Sequence, residues 1–341
     1  MKVGIPLGSL DGALSDVPER AAAAETAGFD SVSFSEVKSD PMLHLTVAAG
    51  ATHRVDLLTN IVVAFARSPM MLAVQARTLQ EYSGGRLVLG LGSQIKPHIE
   101  RRFSMPWSAP APRMAEFVSA MRAIWHAWST GDPLDFRGEF YTHTLMTPMF
   151  SPAGDVPDPA VLLAAVGEQM TETAGRVADG ILLHPFSTER YIRDVTRPAL
   201  ERGRAKSAGL GPVEIVGSTF VVTGETEKEV AASAAAVRGQ VAFYGSTPAY
   251  RGVLELHGLG DLGAELTRLS KMDADGRWQQ MADLIDDETL DLFAVTGTPR
   301  EAAASLRQRA GGCVTRYEIN NIGIRSPRMQ AEVAAALQEL Q

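Results

Sequence analysis

Apolar runs of strand length recur along the chain, separated by stretches with helical spacing. Residues 2–7 read as a first strand. The helix after it opens at Asp16, with Glu19 three residues on as in a capping box, and closes at Gly28. Residues 31–35 form a second strand, followed by a helix over about 41–52, and residues 57–63 a third. Ser68 and Pro69 cap and start the next helix, which Gly84 and Gly85 end. A fourth strand covers 86–91. The rhythm then breaks: a helix over about 113–129 and a turn-rich stretch, 131–159, intervene, with a small hairpin at 136–141. Strands resume at 160–166, 181–184 and 213–222. After a second interruption over 239–295, a Thr298–Glu301 capping box opens a helix that Gly311 and Gly312 end, before a last strand at 313–319.

Eight strands result, most of them continuous apolar runs, as strands buried on both faces should be. Alternating strand–helix units imply a parallel sheet, and eight of them favour closure into a (β/α)8 TIM barrel over an open doubly wound sheet. The expected architecture is one α/β domain over residues 1–341, with insertions after strands four and seven at about 95–159 and 239–295. In such a barrel the chemistry sits where the strands end, at their C-terminal side.

Composition narrows the function classes. The chain has 341 residues, 45% of them hydrophobic, which supports a large core, and a net charge of -8, which argues against nucleic acid as the main partner. The longest apolar runs have strand length, so no membrane span is expected. The first residues read directly as a strand, without a signal-peptide pattern, and Cys313 is the single cysteine; both suit a cytoplasmic protein without an intrachain disulfide. No His-Glu-x-x-His or Cys-x-x-Cys occurs and the seven histidines are scattered, so no metal site is expected. Gly90-Leu91-Gly92-Ser93-Gln94-Ile95 lacks the third glycine of a dinucleotide fingerprint. Asp286-Asp287-Glu288 reads as a solvated helix start.

The strand ends carry the candidate chemistry. Glu36 follows strand two, either as a proton-moving or hydrogen-bonding carboxylate at the mouth or as a salt-bridging residue. Asn60 interrupts an apolar strand, by hydrogen bonding in the core or by marking a bulge near a ligand. Gly92, Ser93 and Gln94 end strand four, where glycine admits either a flat ligand or close packing. Val166, Gly167 and Glu168 lead into a helix, whose free N–H groups suit an anion if the Glu168 carboxylate turns away. His184 ends strand six as a ligand contact or a structural residue.

Three sets of residues resemble the luciferase-like monooxygenase family. They are Ser68-Pro69 through Gly84-Gly85-Arg86 to Gly90-Leu91-Gly92-Ser93, Ala164-Ala165-Val166-Gly167 with Ala174-Gly175-Arg176-Val177-Ala178-Asp179-Gly180, and Ala27-Gly28-Phe29-Asp30. They stand in the family's order and span nearly the whole chain. Phe65-Ala66-Arg67-Ser68-Pro69, residues 92–103 and Phe243 to Tyr250 are similar to the branch assigned to the deazaflavin coenzyme F420 rather than FMN. The resemblance implies a homodimeric oxidoreductase with the ring in the barrel mouth. It implies a non-prolyl cis peptide at Asn60–Ile61 behind the ring, with Ala64, Gly92 and Ser93 nearby. Glu36 would lie at the ring's polar edge, Val166, Gly167 and Glu168 on the phosphate side, and His184 against the tail. Some deazaflavin dehydrogenases carry histidine after the acidic residue. Here Val37 stands there, which leaves a sugar-phosphate mechanism unsupported and makes His98 the proton donor to test, so that Glu36 and His98 are the catalytic candidates. Tyr244, Tyr250, Trp107 and Phe103 line the pocket or pack beneath it. Competing readings are an FMN-dependent two-component monooxygenase, a lyase or isomerase barrel using Glu36 or Glu318 as base, and a non-catalytic flavin-binding barrel. In each, the partner is a small molecule.

Overall fold

The computed structural model describes residues 1–8, 13–152, 154, 156–207, 209–310 and 312–339. Gly311, expected at a helix end, lies outside the described residues. Eight parallel strands close on themselves: β1 (Lys2–Pro6), β2 (Ser31–Phe34), β3 (Asp56–Thr59), β4 (Leu87–Gly92), β5 (Ala160–Ala165), β6 (Gly180–Leu183), β7 (Glu214–Gly217) and β8 (Arg316–Glu318). Each pairs with the next, and β8 returns to β1 with Val3 opposite Tyr317. The fold is the expected α/β TIM barrel.

Strand alternation sorts the side chains. Val3, Ile5, Val32, Phe34, Leu57, Leu89 and Leu163 point outward into the core shared with the helices. Leu58, Val88, Leu162, Leu182 and Val216, from five successive strands, meet inside the barrel as a separate apolar plug. Around the outside run α1 (Val17–Thr26), α2 (Pro41–Ala51), α3 (Pro69–Tyr82), α4 (Pro110–Thr130), α5 (Glu168–Val177) and α6 (Arg197–Arg204). Local chemistry starts several of them. Asp40 accepts from the Met42 amide at 2.8 Å and Ser68 from the Met71 amide, each ahead of a first-turn proline. The Asp16 expectation is corrected. Its carboxylate makes no capping bond because a 3-10 turn, Leu14–Asp16, feeds straight into α1 and gives Asp16 helical angles, φ -87 and ψ -11. A cap needs extended backbone.

Two further expectations change. The helix expected inside the first insertion is α4, which packs between α3 and α5 and is therefore part of the barrel's ring. The long seventh strand splits. Beyond Gly217 its barrel neighbours have run out, so Phe220–Val222 pairs instead with Ala294–Thr296 in a small parallel sheet. Between those two strands lie α7 (Glu227–Gly245), α8 (Arg251–Leu256), α9 (Gly260–Ser270), α10 (Arg277–Asp283) and α11 (Asp287–Phe293). They build a satellite core with Phe186 and Phe220, in which Phe186 stacks on Phe293 at 4.3 Å. The Thr298–Glu301 capping box forms and starts α12 (Pro299–Ala310); α13 (Pro327–Glu339) completes the ring against β1. Among the described residues no helix is long and apolar enough to cross a membrane.

Candidate active site at the barrel mouth

The two-residue period that fills the lumen also decides what faces out of its C-terminal end. Above Ser33 stands Ser35, above Leu58 Asn60, above Leu182 His184, above Val216 Ser218 and above Glu318 Asn320. Glycine and alanine stand above Val88 and Leu162. The mouth thus has a polar rim around a floor of small residues. Ser218 and Asn320 were not singled out from the sequence; counting in twos from buried Val216 and Glu318 would have found them.

The floor is shaped by the break in the third strand. Pairing stops at Thr59 and resumes over Val62–Val63 against Leu91 and Gly92. Between them the Asn60–Ile61 peptide is cis. Main-chain bonds tie this break to the end of β2: the Asn60 amide donates to Phe34 O at 2.8 Å and the Glu36 amide to Ile61 O at 3.0 Å. Ser35 Oγ donates to Asn60 O at 2.6 Å. The two glycines of β4 serve this contact. A Cβ on Gly90 would lie 2.0 Å from Thr59 O, and one on Gly92 2.9 Å from the Ile61 side chain. Gly92 is therefore where Ile61 lies down, half-buried, across the top of the lumen.

Glu36 stands beside this floor. Its Oε2 accepts from the Val63 amide and from Arg67 Nη1, both at 2.7 Å; Oε1 has no partner among the described residues. Arg67 also donates to Asp40 at 2.9 Å. Burial alone would lower the Arg67 pKa, but the two carboxylates hold it above its ordinary value. The salt-bridging reading of Glu36 is the one the structure shows: Oε2 anchors the break, and Oε1 has no partner among the described residues. Arg67 escaped sequence reasoning, because nothing local marks an arginine four residues beyond a strand as the partner of a glutamate on another.

Across the mouth, Gly167 caps α5 with φ 78, and nothing lies within 4 Å of where its Cβ would be. Glu168 is turned away and paired with Arg202 at 2.8 Å. The Gly167 amide faces the Tyr191 hydroxyl, so an anion at this helix start would rely on the amides that follow it. His184 is stacked on Tyr250 at 4.4 Å and meets Tyr244 edge-on at 4.5 Å. Burial pushes its pKa down to about 4, so the ring is neutral near pH 7. Because Nδ1 accepts from the Phe186 amide at 3.1 Å, the proton sits on Nε2, which has no partner among the described residues. Burial also raises the phenol of Tyr250 to about 12. Tyr244 and Tyr250 thus pack around His184 at the edge of the satellite core.

The remaining candidates scatter. Ser93 is half-buried, with its hydroxyl on Gln94 O at 3.1 Å. Ala64 is fully buried in the turn after Val63 and faces the outer core. His98 is exposed on a short π-helical turn, His98–Arg102, which Arg102 ties to Val37 O at 2.5 Å, beside the loop that carries Glu36. Trp107 packs edge-on against buried Phe65, and Phe103 lies under Arg102.

The chain has relatives among known proteins. The family model described as luciferase-like monooxygenase matches residues 3–316. An uncharacterized protein of Mycobacterium tuberculosis is 53% identical over 311 residues, 91% of each chain. A 5,10-methylenetetrahydromethanopterin reductase of Archaeoglobus fulgidus is 26% identical and covers 86% of this chain and 85% of its own. Among solved structures, the coenzyme F420-dependent tetrahydromethanopterin reductase from Methanopyrus kandleri superposes with a TM-score of 0.79 over 99% of both chains at 19% identity. That last likeness concerns the fold.

Proposed function

Since the chain belongs to the luciferase-like monooxygenase family of oxidoreductases, we propose that it is a coenzyme F420-dependent oxidoreductase acting on a small organic substrate. The observation that carries this reading is the floor of the mouth: Ile61 laid flat over Gly92, with Glu36 locked beside it by Arg67 and the Val63 amide. A flat, polar-edged ring needs such a seat, apolar below and acidic at one side. The deazaflavin name carried by the Methanopyrus structure supports the choice of cofactor.

The residues fit such a group. The deazaflavin would supply the hydride chemistry, and the protein its place. Glu36 Oε1 would accept from an N–H or O–H on the ring's edge. Arg67 keeps that carboxylate oriented. His184 would offer a neutral N–H to the cofactor's tail, and the amides of α5 after Gly167 would face its phosphate. Arg102 ties the turn 98–102 to the loop after β2, which sets exposed His98 on the Glu36 side of the mouth as the proton donor to test.

Titration of the purified chain with F420 and, separately, with FMN tests the reading. Micromolar or tighter F420 binding, weakened by about tenfold or more in Glu36→Gln, is expected, since a hydrogen bond to a charged group contributes about 1.5–3 kcal/mol. Tight FMN binding without F420 binding would replace the reading with that of an FMN-dependent monooxygenase.

A further inference from the structure

The second insertion carries a groove that shares no residue with the barrel mouth. It lies between α7 and α11, beside the small parallel sheet, and has a volume of about 770 Å³. Its walls are two helix faces. Val230, Ala231, Ala234 and Arg238 stand on α7 at helical spacing, and Asp287, Leu290 and Asp291 on α11. The groove exists because α7 turns alanine toward it. Ala231 and Ala234 are too short to fill the space, and the larger Val222 and Leu290 are already packed in the satellite core, 1% and 5% exposed.

The charge of the groove is one-sided. Glu225, Glu227, Asp287 and Asp291 line it, against the single cation Arg238. Arg238 is engaged within the fold, donating to Ile285 O and to Asp287. Glu225 has Arg328 3.6 Å away, and Arg309 reaches Asp291 at its main-chain oxygen. The carboxylates of Glu227 and Asp291 have no bonded partner among the described residues. Asp286, from the same acidic run as Asp287, caps α11 by accepting from the Thr289 amide at 2.8 Å, which leaves Asp287 to line the groove.

We propose that this groove docks a basic amphipathic helix of a partner protein. Charge complementarity selects the sign: lysine or arginine on the flanks of the docking segment meets the acidic walls, and its apolar stripe meets Val230, Leu290 and the two alanines. An apolar floor inside a charged rim is the layout of a protein interface. The main chain selects the helix. Both walls are helices whose own amides and carbonyls are paired along their length, so an extended segment finds no strand edge on them. A helix brings its own backbone bonds, and its ridges of side chains fit the space above Ala231 and Ala234. From Glu227 to Arg238 the wall runs about 17 Å, room for about three turns. The inference goes beyond the oxidoreductase reading and does not depend on it.

Fluorescence anisotropy with the full chain tests the docking. The probe is a labelled peptide of about 15 residues built from leucine and lysine, with its leucines on one helical face. Micromolar binding at low salt is expected. Ala231→Arg fills the groove and opposes the charge at an exposed position, and should weaken binding by about tenfold or more. Asp291→Lys should do the same, whereas Glu19→Lys, an equal change of charge on exposed α1, should leave it unchanged. Absence of micromolar binding overturns the proposal. So does equal weakening by Glu19→Lys, or equal binding of a peptide with the same composition and scattered leucines, since either reduces the effect to diffuse attraction by a chain of net charge -8. Self-association of the chain that Ala231→Arg abolishes would make a second copy the occupant and overturn it as well.

Discussion

Arg67 holds Glu36 with one end of its guanidinium and Asp40 with the other, and the Glu36 side chain is only 9% exposed. Removing the cation leaves a nearly buried carboxylate unpaired, which costs about 3–5 kcal/mol. Arg67→Met should therefore lower the unfolding free energy measured in urea by about that much, less whatever Asp40 and Glu36 recover by hydration; a loss below about 1 kcal/mol would show the pair to be a surface interaction. His184 gives a pH dependence of known sign. The unfolded imidazole takes up its proton near 6.5, while the half-buried ring in the fold resists until about 4. Stability attributable to His184 is thus full above about 6.5 and is lost as the pH falls toward about 4, by up to about 3 kcal/mol. The difference in unfolding free energy between parent and His184→Gln should change across that window, since other groups cancel in the comparison. A flat difference would mean that the ring is solvated.

At the level of elements, the two glycines of β4 separate what glycine does in a strand. A methyl group at Gly90 meets the backbone of Thr59, which cannot move without parting β3 from β4; at Gly92 it meets the flexible end of Ile61. Gly90→Ala should cost about 3 kcal/mol or more, or prevent folding, and Gly92→Ala about 1 kcal/mol. Thermal unfolding of the two variants side by side checks the order, and equal costs would place the strain elsewhere. The same strands show how far pattern reading reached. Apolar runs located all eight strands, but run length misjudged where β3 and β7 leave the barrel. Leaving is decided by whether a neighbouring strand is still there to accept hydrogen bonds. The Asp16 expectation failed for a similar reason, because a cap is a backbone conformation before it is a residue type.

For the whole molecule, closure depends on what crosses the lumen. Arg316 joins β8 to β3 and β7 at the base of the barrel, and Lys2 adds β1 through Asp56. Burial would raise the Asp56 carboxyl, but hydrogen bonds from Lys2 and Arg316 outweigh it and hold it below its ordinary value. Stability from this group is therefore present above about pH 4 and lost as the pH falls through the lowered value. Arg316→Met should destabilise by about 3 kcal/mol or more at neutral pH, and by less in acid, once Asp56 is protonated. Urea unfolding at both pH values checks it; a cost independent of pH would assign the loss to packing.

The residues by themselves determined the period-two and helical rhythm, the count of eight buried strands, and hence a closed parallel barrel with its chemistry at one end. They also determined which small residues could admit close approach, since glycine at positions 4, 90 and 92 is visible without coordinates. Pairing across distant segments was decided only by the tertiary structure. Glu36 meets Arg67, and Glu318 meets Ser31 and Ser33 from 285 and more residues away. Such contacts depend on which strands become neighbours when the barrel closes. Closure is a property of the whole sheet, written in no single stretch of the chain.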